Sequence, residues 1–261
     1  MSLDIQQLQN ELSRLSLQTG IPIYGFNTLP STDRTASEFL EAGREPPFAV
    51  IADRQTAGKG QYGRQWVSET GGLYLSLALA VELDISLSPC LVLATAWGIA
   101  SGLRAREIPV GIKWPNDLVI DGRKLGGIKI ETRVRGEKIT RAVIGVGINW
   151  CNPVPETGIN LRAFFTETGK PAIPSLEQLA AIAIAGILSG YENYSRNGVE
   201  AILAGYLPLF VNLGQAVTID DYTGIITGVN DRGQLKVRTF IGGASAEICL
   251  PAGTIGLGYN R

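Results

Sequence analysis

The 261-residue chain contains no histidine, a single methionine and three cysteines. Without an imidazole, a histidine general base and a histidine-ligated metal are both excluded. Cys90, Cys151 and Cys249 are odd in number and far apart, which argues against a disulfide framework and gives no zinc-ligand spacing. An excess of one charge is missing too. The 23 lysines and arginines nearly balance the 24 acidic residues, so no global field selects nucleic acid or an anionic membrane. The start, MSLDIQQLQNELSRL, lacks the basic segment and apolar core of a secretory signal. No apolar run approaches the roughly 20 residues that cross a bilayer. A cytoplasmic protein with neither nucleic acid nor membrane as partner is expected, with one large domain and a small one.

What the chain does have is a glycine-rich, basic stretch from Asp53 to Trp66, DRQTAGKGQYGRQW. It follows an apolar run, Phe48 to Ala52, that reads as a buried strand. Gly58, Gly60 and Gly63 make a loop too flexible for a core element. Its backbone N–H groups can cradle an anion, and Lys59 and Arg64 add full positive charge beside them. The same glycines spell the GxGxxG of dinucleotide-binding folds, but there a helix begins on the loop. Here Gly71-Gly72 and another strand, residues 73 to 81, come next, which rejects that reading. No GxxxxGK followed by Ser or Thr occurs, so a P-loop is rejected as well.

Elsewhere, Ile5, Leu8, Leu12 and Leu15 recur at helical spacing and predict a helix over residues 4 to 17. Ile23 to Phe26 reads as a strand. Ser31, Thr32 and Asp33 stand where an N-cap opens a helix to Ala42, and capping is their plain reading. Residues 88 to 107, opened by Ser88-Pro89, form a largely buried helix. Strands at Ile112 to Trp114, Leu118 to Ile120, Leu125 to Thr132 and Ile139 to Ile148, with hairpin turns at Asp121-Gly122 and Arg135-Gly136, predict an antiparallel sheet. Cys151 to Pro174 reads as irregular, and two helices follow at about 175 to 194 and 198 to 211. From Gly214, short strands punctuated by Asp231-Arg232-Gly233 and Gly242-Gly243 suggest an SH3-like β-barrel. The fold class is α+β, with domains at 1–211 and 212–261.

Four segments carry unusual chemistry: STD at 31 to 33, the glycine loop, KWPNDL at 113 to 118, and RKLGGIKIE at 123 to 131 with GVGIN at 145 to 149. In this order they resemble the catalytic core of the biotin protein ligases over residues 25 to 150, and the small β-domain matches that family's C-terminal domain. The resemblance implies a class II synthetase-like core, a mixed and largely antiparallel sheet with packed helices. It also implies an ATP- and Mg2+-dependent ligase in which biotin and ATP give biotinyl-5′-adenylate. The acyl group then passes to a lysine of a biotin carboxyl carrier domain, that of acetyl-CoA carboxylase. Such chemistry needs no histidine, because the carboxylate is already nucleophilic and the enzyme mainly holds two anions together.

By resemblance, Ser31 and Thr32 match residues that bind the ureido end of biotin, and Asp33 stands where asparagine is usual. Gln55, Gly58, Lys59, Gly60, Gln61 and Gly127 match biotin-side positions, with Gln61 where many relatives carry arginine. Arg64, three residues on, matches a family arginine and is assigned with Lys124 to catalysis. Lys124 matches the lysine that touches both the reacting carboxylate and the α-phosphate. Alone, it is a lysine after a DG turn, and Gly126-Gly127 beside it suggests close ligand approach. Lys59, Arg64, Trp66, Lys113, Asn116, Asp117, Lys124 and Asn149 fall to the nucleotide, with Asp117 the candidate Mg2+ ligand. The plain readings are a PND turn for Asn116 and Asp117 and a core ring for Trp66. Rival readings are a lipoate or octanoate ligase or transferase of the same fold, a biotin-responsive repressor, and a pure binding module. The stretch ahead of Gly25 is too short for a DNA-binding domain. Exposed sheet edges leave a homodimer open.

Overall fold

The computed structural model describes residues 3–15, 20–169, 173–219, 222–241 and 244–258. A seven-stranded sheet forms its centre, built from β1 (Ile23–Leu29), β2 (Phe48–Gln55), β3 (Gly72–Asp84), β4 (Gly111–Lys113), β5 (Asp117–Ile120), β6 (Arg123–Arg135) and β7 (Lys138–Asn149). The order is β1-β2-β3-β7-β6-β5-β4. Only β1 and β2 run parallel, so the sheet is mixed and largely antiparallel. Side chains alternate across it with period two. Ala49 and Ile51 enter the large core, whereas Phe48 and Val50 enter a smaller one. Because β2 is buried on both faces, its sequence is a continuous apolar run.

The smaller core is closed by α2 (Thr32–Glu41) through Ala36 and Leu40. On the other face lie α1 (Ile5–Arg14), α3 (Ser88–Arg104) and α5 (Leu176–Tyr206). The chain of α5 breaks at Gly198, where φ is 76°, and this is the boundary expected between two helices. The region read as irregular holds a short helix, α4 (Leu161–Thr168), capped by the Asn160 side chain. The turn after β6 falls at Gly136-Glu137, one residue beyond the expected pair.

The stretch Ile85–Arg104 does reach the length and mean hydropathy of a membrane span, which corrects the expectation that no apolar run comes close. Its apolarity belongs to the core, where Cys90, Leu91, Leu93, Ala94 and Ile99 are fully buried against α5. α3 and α5 touch backbone to backbone. A Cβ on Gly98 would lie 2.0 Å from the Gly186 carbonyl oxygen, and one on Gly190 2.2 Å from that of Ala94.

A second sheet follows, β8 (Ala216–Ile219), β9 (Tyr222–Val229), β10 (Leu235–Ile241) and β11 (Ala244–Leu250), an antiparallel meander in the place of the expected SH3-like unit. The expected Gly242-Gly243 turn lies outside the described residues. The meander is tied to the main sheet through Trp114, whose indole N–H donates to the Gly233 carbonyl at 3.0 Å and whose backbone N–H donates to Asn212.

Gly98→Ala should force α3 and α5 apart and lower the unfolding free energy by about 1–3 kcal/mol in chemical denaturation. An unchanged midpoint would mean the helices have slack at this crossing.

Candidate active site

The floor of the site comes from the alternation within β7. Ile144, Val146 and Ile148 seal the large core, while Val143 faces α2. Gly145 and Gly147 share the face of Val143 and leave a trough there. A Cβ on Gly145 would lie 2.1 Å from Asp33 Oδ1, and one on Gly147 2.6 Å from the Trp66 ring. Ser76 on β3, and Gly127 and Lys129 on β6, continue the same surface.

Two adjoining chambers stand over this floor. The smaller, about 50 Å3, is lined by Thr32, Asp33, Gln55, Lys59, Gly127 and Lys129, among others. The larger, about 310 Å3, gathers Arg64, Lys113, Asp117 and residues 253–257 of the chain's far end. Gly60, Gln61, Trp66, Asn116 and Lys124 line both. A still roomier cavity of about 1160 Å3, bounded by Leu3, Trp150, Phe165 and Ile173, contains none of the predicted site residues.

The glycine loop folds as a tight ribbon. Lys59 bridges Gln65, Gly60 N–H donates to the Arg64 carbonyl at 2.7 Å, and Gln55 bridges Ser68. Tyr62 at its tip takes φ 56°, the left-handed region that favours glycine, and packs its ring against Gly253. Gly58 lies within the ribbon, its carbonyl accepting from the Trp66 N–H at 3.0 Å. It is buried, and a Cβ there would strike the Trp66 carbonyl oxygen at 2.5 Å, so its smallness serves the ribbon. Trp66 is neither a fully buried core ring nor free in solvent. Its indole lies across Gly147, and its N–H is buried with no partner.

At the closed end of the smaller chamber, Ser31 is the N-cap residue of α2 but makes no side-chain capping bond. Instead the Thr32 N–H donates to Gln55 Oε1 at 2.8 Å, and Gln55 Nε2 donates to Ser68. Asp33 accepts from Ser76 Oγ at 2.7 Å and pairs with Lys129 at 3.3 Å. Burial pushes the Asp33 carboxyl above its ordinary pKa, and Ser76 and Lys129 offset this in part. Burial also pulls Lys129 down, but hydrogen bonds with Glu131 and Asp33 outweigh it and keep the ammonium charged.

On the side of the larger chamber, Lys124 Nζ sits 2.7 Å from Asp117 Oδ1 and 5.2 Å from the centre of the Trp66 ring. Its backbone is clamped, its N–H donating to Thr157 and its carbonyl accepting from Ile159 and Asn149. Asn149 lines neither chamber and acts as a brace, donating to Lys124 and Ile159 while accepting from Asn152. Asn116 crosslinks its turn to β6 by donating to the Ile128 carbonyl at 2.7 Å. Lys113 is buried, which drops its pKa to about 8; Asp117 opposes the drop, while Lys124 and Arg64 deepen it. Among the described residues, no group of three His, Cys, Asp or Glu side chains could cage a metal. Among the described residues Asp117 is the only carboxylate lining the larger chamber, a donor set that suits magnesium only when it arrives on phosphate oxygens.

The structure thus gathers Thr32, Asp33, Gln55, Lys59, Gly60, Gln61, Arg64, Trp66, Lys113, Asn116, Asp117, Lys124 and Gly127 around the chambers, and leaves Ser31, Gly58 and Asn149 outside the two linings. Sequence reasoning did not assign Ser76, Lys129, Gly145 and Gly147. For the glycines the signal was there, as small residues at every second position of GVGIN.

Comparison with known proteins finds relatives of this chain in both sequence and fold. Residues 25–149 match the model of the biotin/lipoate A/B protein ligase family. The chain is 30% identical over 229 residues to the bifunctional ligase/repressor BirA of Bacillus subtilis, spanning 82% of this chain and 68% of that protein. It is 29% identical over 252 residues to the biotin--[acetyl-CoA-carboxylase] ligase of Paracoccus denitrificans, spanning 88% and 99%. The fold is that of the biotin protein ligase of Aquifex aeolicus solved with biotin and ATP, with a TM-score of 0.67 at 23% identity over 87% of this chain and 95% of that one. On the fold, the assembled site and these relatives together, the chain belongs to the biotin/lipoate A/B protein ligase family, among its biotin protein ligases.

Proposed function

We propose that the protein condenses biotin with ATP to biotinyl-5′-adenylate and passes the acyl group to a lysine of a biotin carboxyl carrier domain, acting in the cytoplasm. Residues 1–211 serve as the catalytic domain and 212–261 as the small β-domain in this reading. The observation that carries it is the pair of chambers joined at Lys124, one lined by hydrogen-bonding groups and the other by Arg64, Lys113 and Lys124 around a single carboxylate. That surplus of positive charge suits a triphosphate.

In the first step a biotin carboxylate oxygen attacks the α-phosphorus and pyrophosphate leaves. Lys124 stands where both reactants meet, so its ammonium offsets the charge that builds on the transferring phosphoryl group. Asp117 holds that ammonium in place. In the second step the acceptor amine attacks the mixed anhydride and AMP leaves. The Asp53–Trp66 ribbon covers the chambers and keeps water from the anhydride. Asp117 is the residue that would hold magnesium brought in on the triphosphate, and the ion would supply charge to offset the repulsion between the two anions. Trp66 offers its ring and its unpartnered N–H to the nucleotide.

The purified protein should catalyse pyrophosphate exchange into ATP with biotin, and not with lipoate or octanoate; exchange with either of the other acids would overturn the substrate assignment. Lys124→Ala should slow that exchange by about a hundredfold to a thousandfold, whereas a rate near wild type would return Lys124 to an ordinary surface lysine. Lys113 is charged below about pH 8 and loses its proton above it. The value of kcat/KM for ATP should therefore fall as pH rises through that region, and in Lys113→Arg it should stay level, since guanidinium does not titrate there. A fall of the same size in both proteins would show that another group sets the profile.

A further inference from the structure

Lys129 projects from β6 into the smaller chamber, and Asp33 meets it from α2. Their side chains are only 19% and 10% exposed. A largely buried ion pair has lost much of its hydration and holds its place only if further hydrogen bonds complete it. The protein supplies some of them. Glu131 Oε1 lies 2.6 Å from Lys129 Nζ and fixes the ammonium.

On the Asp33 side, Ser76 Oγ lies 2.7 Å from Asp33 Oδ1 and 2.8 Å from Thr32 Oγ1. A hydroxyl has one proton, and the carboxylate is the stronger acceptor. Ser76 therefore donates to Asp33, while the Thr32 N–H and hydroxyl both lie within reach of Gln55 Oε1 at 2.8 and 3.2 Å. Asp33 accepts from Ser76 through one carboxylate oxygen and meets Lys129 with the other. The closed end thus presents an acceptor, Asp33, beside a donor, Lys129. The complementary ligand edge is an N–H next to a C=O, the first donating to the carboxylate and the second accepting from the ammonium. A dithiolane or alkyl head would bury the pair without completing it, which costs more than a missing contact.

We propose that the Asp33–Lys129 pair determines specificity in the smaller chamber by reading the N–H/C=O edge of a cyclic urea. This rests on biotin being the substrate. It adds Lys129 to the binding machinery and gives the Asp33 charge a purpose.

The test measures equilibrium binding at pH 7 of biotin, 2-iminobiotin and lipoate to wild type, Lys129→Met and Asp33→Asn. In 2-iminobiotin the C=O becomes a C=N that is protonated at this pH, so its head is a guanidinium. It is repelled by Lys129 and attracted by Asp33. Lys129→Met should weaken biotin by about tenfold to a hundredfold and shift the iminobiotin-to-biotin affinity ratio upward. Asp33→Asn should shift that ratio downward. Each ratio is taken within one protein, so it does not depend on the folded fraction, and the near-isosteric Asp33→Asn carries the test if Lys129→Met does not fold. A ratio unchanged in the variants would show that the pair does not touch the head and would overturn the proposal. Binding of lipoate in place of both ureido-type ligands by the wild type would instead overturn the biotin reading itself, and the proposal with it.

Discussion

One strand has two tasks. Every second residue of β7 must close the main core, and every second residue on its other face must leave room for a ligand. Ile144, Val146 and Ile148 do the first, and Gly145 and Gly147 the second. Period-two geometry makes the division strict, because a Cβ on either glycine would stand where Asp33 or Trp66 now lies. Glycine weakens a strand interior. Here pairing with β3 on one side and β6 on the other offsets that loss.

A floor without side chains cannot supply chemistry, so the functional groups come from the edges of the trough. Thr32 and Asp33 arrive on α2, Lys59 to Trp66 on the ribbon after β2, Lys113 to Asp117 on the turn between β4 and β5, and Lys124 to Lys129 on β6. Segments far apart in sequence converge because the sheet order inserts β7 between β3 and β6. The clamp on Lys124 follows from the same arrangement. Asn149, at the end of β7, reaches across to the Lys124 carbonyl and to Ile159, so the strand that forms the floor also aims the lysine.

Much of this was legible before any coordinates. The strand after the glycine loop ruled out a dinucleotide fold, and the DG turn, KWPNDL and GVGIN marked the elements that meet at the site. The capping reading of STD holds for position alone: Ser31 is the N-cap residue of α2 but makes no side-chain capping bond, while Thr32 serves Gln55, and Asp33 serves Ser76 and Lys129. Lys129 escaped notice because an alternating strand such as RKLGGIKIE places a lysine where solvent is the usual neighbour. Only α2, whose Asp33 lies 96 positions away in the chain, makes that face an interior. The helix α4 was hidden for a different reason, since its flanks of Pro, Gly and Asn read as loop while its cap is a single asparagine side chain. The sequence reading of residues 88 to 107 as a largely buried helix fits α3, and the backbone contacts at Gly98, Gly186 and Gly190 explain why that helix can be apolar nearly all round.

Positive charge outweighs negative around both chambers. The smaller is lined by Lys59, Lys124 and Lys129 against Asp33. The larger is lined by Arg64, Lys113 and Lys124 against Asp117. Lys124 is common to both linings, so an anionic group drawn to either chamber meets the same ammonium. A polyanion is held in the larger chamber by the same field. Burial is the main cause of the depressed pKa of Lys113, which Asp117 opposes and Lys124 and Arg64 deepen, and an arriving phosphate would offset it. An anion that arrives there adds countercharge where one carboxylate faces three cations, which suits a reaction that brings two anions beside one ammonium.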